Sequence, residues 1–359
     1  MGMSTGSNEE VILQTVKDKG VITLNRPKQL NTLNLSMVRK IYPMLKTWEA
    51  DPRITMVLIK GVGEKAFCAG GDVKAITDSA KAGDYSYPFF GEEYVLNNTI
   101  GTLHIPYIAL IDGITMGGGV GLSVHGSFRV ATERSVFAMP EMAIGLFPDV
   151  GGGHFLPRLG GKLGLYLALT GYRLKGIDVQ KAGVATHFVE AKMLDSLEKE
   201  LLDLDDPGAT DISKVLDHYH DQSKLDAEKE FHLQPHMEKI NTLFAGDSME
   251  QIFADLEADG SEWSLAQLAI LKKMSPLSMK VAFRQLSEGA TKSLQAELET
   301  EFRIGKHMLR NDDFHEGVRA VLVDKDNKPK WQHSCLEAVS PETVAKFFAP
   351  LPEAEELML

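Results

Sequence analysis

Two apolar runs, Thr55-Met56-Val57-Leu58-Ile59-Lys60-Gly61 and Tyr107-Ile108-Ala109-Leu110-Ile111-Asp112-Gly113, end on glycine and lead through glycine-rich loops into helical patterns. Runs this continuous fit strands buried on both faces, and strands alternating with helices imply βαβ units in a largely parallel sheet. Val21-Ile22-Thr23-Leu24 reads as a shorter strand, and Met37 to Trp48 carries apolar residues at helical spacing. Phe128 to Thr132 and Ser135 to Ala138 add two short strands around a polar turn at Glu133-Arg134. From about Pro157 the pattern becomes helical, over Lys162 to Thr170, Met193 to Leu204, Met249 to Ala258, Leu265 to Lys273 and Ser293 to Leu309. The Asp-rich stretch Leu201 to Asp211, with Pro207-Gly208, reads as a linker. The expected organisation is an α/β core over residues 10–190 that carries the active site, followed by a helical C-terminal region over 191–359.

A chain of 359 residues is long enough to bury a core in one large domain or two. Its formal net charge of -12 argues against a nucleic-acid backbone or an anionic membrane surface as the main partner, since both select for a basic footprint. A small anionic ligand held at a local basic spot is compatible with it. The cations that can serve, Arg26, Lys65, Lys74, Arg319, Lys325 and Lys330, are scattered, and each read alone is a solvated surface charge. Two cysteines, Cys68 and Cys335, supply no disulfide framework and point to a reducing compartment. No apolar run reaches the roughly 18 residues of a bilayer span. Residues 1–8 show neither a signal-peptide core nor an Arg-rich amphipathic helix, and the final Leu357-Met358-Leu359 does not match the peroxisomal tripeptide.

The chemistry is expected in Met139-Pro140-Glu141-Met142-Ala143-Ile144-Gly145-Leu146-Phe147-Pro148-Asp149-Val150-Gly151-Gly152-Gly153, which sets two carboxylates into an apolar run. Poor solvation raises a carboxyl pKa, and two such groups close together can divide acid, base and nucleophile roles. The alternative use of Glu141 and Asp149 is to cap helices or close turns. Two further loops, Lys65-Ala66-Phe67-Cys68-Ala69-Gly70-Gly71-Asp72 and Gly113-Ile114-Thr115-Met116-Gly117-Gly118-Gly119-Val120-Gly121, each follow a buried strand. Together they can aim one N–H apiece at a single oxygen, the construction of an oxyanion hole; taken alone, the first is equally a plain turn with Asp72 as a helix cap.

Other motifs fail. Gly121-Leu122-Ser123-Val124-His125-Gly126 has one residue too many for a nucleophile elbow, and Gly161-Lys162-Leu163 lacks the hydroxyl residue of a P-loop. His218 and His220 alternate with Asp217 and Asp221 on what reads as a solvated helix face rather than a metal site, so no metal is implied. His315-Glu316 reads as a turn at a helix end.

The segments Leu24-Asn25-Arg26-Pro27, Ala66-Phe67-Cys68-Ala69-Gly70-Gly71-Asp72, Gly113-Ile114-Thr115-Met116-Gly117-Gly118-Gly119 and Met139-Pro140-Glu141 together resemble the crotonase (enoyl-CoA hydratase/isomerase) superfamily. The resemblance runs from about residue 10 to 335 and implies a spiral of ββα units. It implies that the N–H groups of Gly71 and Gly118 bind a thioester oxygen and that acyl-CoA lies across the first loop, with its adenine near Ala69; Arg26 is likewise expected to bind substrate. Hydratases of the superfamily hold a water between two glutamates. Here the first of those positions is Gly121 and the second is Glu141, while Asp149 stands where hydratases have a small glycine. The hydrolase branch, which His125 to Thr132, Phe147 to Gly153 and Phe314 to Ala320 also resemble, implies cleavage of the thioester of 3-hydroxyisobutyryl-CoA in valine breakdown, with no cofactor. Glu93, a surface residue by pattern alone, is implied to line the acyl pocket.

The rival expectations are an enoyl-CoA hydratase or isomerase, and a non-catalytic acyl-CoA- or RNA-binding homologue. Oligomeric state is left open between trimers through the C-terminal helices and a tail folded back over its own active site. The resemblance implies the mitochondrial matrix, with the peroxisome as alternative.

Overall fold

The computed structural model describes residues 9–83 and 88–359, so the expectation about residues 1–8 lies outside the described residues. The chain forms two compact units, each assembled from separated segments. The first takes the chain up to Gly71, then Thr99–Phe137 and Lys175–Lys229; the second takes Asp72–Asn98, Ala138–Leu174 and Glu230–Leu359. This interleaving differs from a single division near residue 190. The Asp-rich stretch joins two helices of one unit, Leu194–Asp203 and Ala209–Gln222, and Pro207-Gly208 closes the turn between them.

The first unit is built on a six-stranded sheet. Its strands are β1 (Val11–Val16), β2 (Lys19–Leu24), β3 (Met56–Gly61), β5 (Tyr107–Ile111), β7 (Phe128–Ala131) and β10 (His187–Phe188), in the order β1-β2-β3-β5-β7-β10. Only the β1–β2 hairpin is antiparallel; every later neighbour runs parallel, as the glycine-ended runs require. Met56, Leu58, Ile108 and Leu110 pack on one face against Leu197 and Leu201 of one helix and Ile212, Val215 and Leu216 of the next. Strand side chains alternate, so Val57, Ile59, Ala109 and Ile111, also buried, point the other way. At the β1 edge the helix Leu35–Ala50 packs its Trp48, whose indole N–H donates to Thr15 Oγ1 at 3.0 Å. A Cβ on Gly20 would come within 2.5 Å of that ring, so the glycine admits the helix.

A second, four-stranded sheet of β4 (Ala66–Cys68), β6 (Ile114–Met116), β8 (Val136–Ala138) and β9 (Leu174–Lys175) has the order β4-β6-β8-β9. β4 and β6 run parallel, with Ala66 beside Ile114 and Cys68 beside Thr115. Each follows a strand of the large sheet, β4 after β3 and β6 after β5, which makes the two glycine loops neighbours.

The second unit is mainly helical and contains Met237–Leu243, Met249–Asp259, Glu262–Leu271, Pro276–Gly289, Leu294–Met308, Asp312–Val318 and Pro341–Phe348. Ser248, Ser261, Ser275, Ser293 and Ser340 each cap a helix with the side-chain oxygen.

The contact between the glycine loops is tight at one point. A Cβ on Gly119 would sit 2.2 Å from the Cys68 carbonyl oxygen. Gly119→Ala is therefore expected to lower unfolding stability in urea by about 1–3 kcal/mol. Gly160→Ala, where nothing lies within 4 Å of the added carbon, serves as the neutral control. Equal midpoints for both variants would contradict the close approach.

Candidate active site

The expected oxyanion-hole glycines belong to the first unit and the expected carboxylates to the second. In the first, the parallel register decides the geometry. Gly71 and Gly118 each lie three residues beyond the paired Cys68 and Thr115, in the loops that leave the same end of these two parallel strands. Gly117, with φ +45°, turns the chain into the short helix Gly118–Gly121, and Gly70 turns at φ +123°. Among the described residues, neither the Gly71 nor the Gly118 N–H is used in a turn or cap hydrogen bond. Two free donors on adjacent loops are what an oxyanion hole requires.

Asn31 braces the first loop: its amide donates to the Ala66 and Val62 carbonyls at 2.8 and 3.0 Å and accepts from Arg26 N–H at 2.9 Å. Ala69 N–H is spent on the Leu30 carbonyl. Beside this loop is a cavity of about 350 Å³ lined by Pro27, Lys28, Leu30, Val62, Lys65 and Ala66, with Lys28 and Lys65 exposed at its rim. Arg26 itself is committed to Glu10 at 3.1 Å and to the Thr32 carbonyl at 2.7 Å.

The second unit holds the carboxylates. Glu141 opens the 3-10 turn Glu141–Ile144, which Gly145 ends at φ +65°. A Cβ on Gly145 would meet the Asp313 carbonyl at 2.3 Å, and one on Gly317 would meet Ile144 at 2.2 Å. The helix Asp312–Val318 thus presses directly on the turn that carries Glu141, and these two glycines are required for it. His315 Nε2 bonds the Leu309 carbonyl at 2.9 Å and Glu316 holds Arg319 at 2.8 Å, so this motif acts structurally.

Glu93, Glu141 and Asp149 are all buried, at 2%, 5% and 5% exposure. Glu93, a surface residue by pattern, is instead on the inner face of the helix Phe89–Thr102. The helix is apolar on most sides, which is why periodicity does not show which face is buried. Burial pushes the Glu93 carboxyl well above the ordinary range, and the charges of Asp149 and Glu141 push it further. Burial raises Glu141 in the same way, with Asp149 adding to it. Asp149 is raised to about 6 by burial, opposed by the Tyr94 hydroxyl, which donates to Asp149 Oδ2 at 2.8 Å. Asp149 is therefore the readiest of the three to carry charge near neutrality. Glu93 Oε1 and Glu141 Oε2 have no hydrogen-bond partner among the described residues. Asn97, one turn beyond Glu93, is also buried with both amide atoms unpartnered. This end of the unit has polar capacity that a ligand can satisfy.

Several participants carry no readable mark in the sequence. Tyr94, fully buried, is distinguished only by its bond to Asp149. Glu301, from the helix Leu294–Met308, accepts from Gly151 N–H at 2.7 Å and Gly153 N–H at 3.0 Å. Gln285 donates to the Pro148 carbonyl at 2.7 Å and to Glu301 at 3.0 Å. The three glycines after Asp149 are thereby explained in part. Gly151 turns at φ +83°, and a Cβ on Gly153 would strike the Glu297 carboxyl at 2.1 Å.

The remaining candidates are placed elsewhere. Asp72 caps the helix Val73–Lys81, accepting from Ala75 N–H, and Lys74 pairs with Asp78. His220, which reads as solvated, instead sets its Nδ1 against the backbone of Phe188, within hydrogen-bond distance of its N–H and carbonyl, and Asp217 holds His187 at 3.1 Å. These tie a helix to β10, and no cluster of potential metal ligands occurs among the described residues.

Against known proteins, the enoyl-CoA hydratase/isomerase family model matches residues 19–348. The chain belongs to this family. A Danio rerio relative named 3-hydroxyisobutyryl-CoA hydrolase, mitochondrial, is 58% identical over 98% of this chain and 93% of its own length. A Gallus gallus relative of the same name is 58% identical over 97% of this chain and 90% of its own. The crystal structure of an enoyl-CoA hydratase from Rhodobacter sphaeroides superposes with a TM-score of 0.87 at 36% identity, covering 98% of this chain and all of that one. The fold is thus the crotonase fold of the enoyl-CoA hydratase/isomerase family, with a helical C-terminal region.

The raised Asp149 value has a thermodynamic consequence. Between 3.8 and about 6 the folded family member keeps a proton that the unfolded chain has released, so stability falls as pH rises through that window. The conversion of that shift is about 3 kcal/mol. Asp149→Asn keeps an acceptor for Tyr94 and removes the charge. It is expected to melt higher than the unsubstituted protein at pH 7, with the gain shrinking toward pH 4. Equal melting temperatures at pH 7 would contradict the burial cost.

Proposed function

We propose that the protein is an acyl-CoA thioester hydrolase that cleaves 3-hydroxyisobutyryl-CoA to 3-hydroxyisobutyrate and CoA in valine breakdown. The observation that carries this reading is the pairing of Glu141 with a second buried carboxylate, Asp149, held by Tyr94, where Gly121 offers no carboxylate for hydration. The names of the relatives at 58% identity agree with it.

The N–H groups of Gly71 and Gly118 bind the thioester oxygen and stabilise the charge that develops there; one such donor is worth about 2.7–4 kcal/mol in the transition state. Glu141, whose Oε2 has no hydrogen bond to surrender, attacks the carbonyl carbon. The carbon–sulfur bond breaks, giving a mixed anhydride on Glu141 and CoA thiolate, which takes a proton. Asp149 then removes a proton from water as that water attacks the substrate acyl carbon of the anhydride, releasing 3-hydroxyisobutyrate and the Glu141 carboxylate, and Asp149 gives the proton up to solvent. Glu93 receives the substrate hydroxyl at its unpartnered oxygen. The cavity beside Arg26 and Ala69, with Lys28 and Lys65 at its rim, takes the nucleotide end of CoA. The substrate is a small molecule, and no helix among the described residues is long and apolar enough to cross a membrane. The names of the relatives support a mitochondrial location, which we assign to the matrix.

Thiol release measured over acyl-CoAs with and without a 3-hydroxyl group tests the reading. Free CoA is expected from 3-hydroxyisobutyryl-CoA; consumption of a trans-2-enoyl-CoA without thiol would instead show a hydratase, and no turnover of any would leave only a binding protein. In the same assay Glu93→Leu is expected to lower kcat/KM for 3-hydroxyisobutyryl-CoA by roughly tenfold or more, the worth of one buried hydrogen bond to a polar group. Isobutyryl-CoA, which lacks the hydroxyl, should be nearly unaffected.

A further inference from the structure

The loop that carries Asp149 is strained and is held from outside. Val150 adopts φ +54° and Gly151 φ +83°, so a β-branched residue and its neighbour are both left-handed. Such a conformation persists only where its surroundings over-determine it. Those surroundings are two buried side chains on C-terminal helices. Glu301 accepts the N–H groups of Gly151 and Gly153, on the far side of Val150 from Asp149. Gln285, on Pro276–Gly289, donates to the Pro148 carbonyl on the near side and also to Glu301. Both are 0% exposed. The turn is thus gripped before and after Asp149 by one connected pair.

We propose that Glu301 and Gln285 are positioning residues that clamp the Pro148–Gly153 turn so that Asp149 stays on the Tyr94 hydroxyl. This rests on the reading of Asp149 as the base in thioester hydrolysis. Neither residue touches the reacting atoms. A carboxyl is the group this clamp needs, because three N–H donors converge on its two oxygens. In Glu301→Gln an amide oxygen facing Gly153 and Gln285 leaves the amide NH2 against the Gly151 N–H, donor against donor.

The groups facing this turn are Glu93 and Tyr94 from the helix Phe89–Thr102, Glu141 from its own turn, and Glu297 and Glu301 from Leu294–Met308. Lys292 balances Glu297 at 3.5 Å. Among these, the Tyr94 bond is what lowers the Asp149 carboxyl, so a displaced Asp149 titrates higher. Gln285→Met breaks the clamp without changing charge, which makes its pH profile a reading of geometry alone.

The experiment is steady-state thiol release from 3-hydroxyisobutyryl-CoA, per folded molecule, for Glu301→Gln, Gln285→Met and Asp149→Asn. Glu301→Gln is expected to lose between about tenfold and a hundredfold in kcat with KM little changed, the scale of a misplaced catalytic group. Gln285→Met is expected to lose less and to shift the acidic limb of its kcat profile to higher pH. If Glu301→Gln fails to fold, the limb of Gln285→Met decides. The clamp is overturned if the folded variants keep wild-type kcat and an unshifted limb while Asp149→Asn is inactive. Steady-state activity in Asp149→Asn would overturn the hydrolase role of Asp149 instead.

Discussion

Burial of carboxyl groups is the constraint on which this protein turns. Glu93, Glu141, Asp149, Glu297 and Glu301 all lie in one unit with almost no exposure. Lys292, at 3.5 Å from Glu297, is the one cation paired with any of them among the described residues. Charges so poorly solvated and so close cannot all form together. The groups must therefore differ, and hydrogen bonds set the differences. Asp149 has the Tyr94 hydroxyl, Glu301 has three N–H donors, and Glu93 and Glu141 each keep an oxygen without a partner. In the proposed hydrolysis that asymmetry corresponds to a base, an anchor, a nucleophile and a ligand for the substrate hydroxyl.

The backbone is shaped by the same demand. Gly145 and Gly317 let a C-terminal helix press on the turn of Glu141, and Gly153 leaves space for the Glu297 carboxyl. The left-handed Val150 stores strain of about 1–3 kcal/mol next to Asp149, and the C-terminal helices hold it there. In the sheet unit the parallel pairing of β4 and β6 sets the loops of Gly71 and Gly118 at the same end of the small sheet, and Asn31 braces the first of them. Strand geometry places the glycine loops, and helix packing places the carboxylates.

The parts legible in sequence are those with a local cause. Apolar runs ended by glycine mark β3 and β5, and the motifs at Gly71, Gly118, Glu141 and Asp149 mark two glycine loops and two buried carboxylates. What is not legible depends on contacts distant in sequence. Glu301 lies 148 residues from the Gly153 N–H it accepts, and nothing about a glutamate in an amphipathic helix announces this. Glu93 and Tyr94 sit on a helix without a distinct polar face. The units interleave because residues 72–98 and 138–174 pack with the C-terminal helices, a choice no linker composition signals.

In the proposed division of labour Glu141 attacks and Asp149 activates water afterwards. Rapid mixing of Asp149→Asn with 3-hydroxyisobutyryl-CoA, followed by thiol quantitation and peptide mass spectrometry, tests it most directly. A burst approaching one CoA per folded molecule is expected, then arrest, with the acyl group found on Glu141. Absence of a burst with an unmodified Glu141 would contradict it and would show that Glu141 activates water directly.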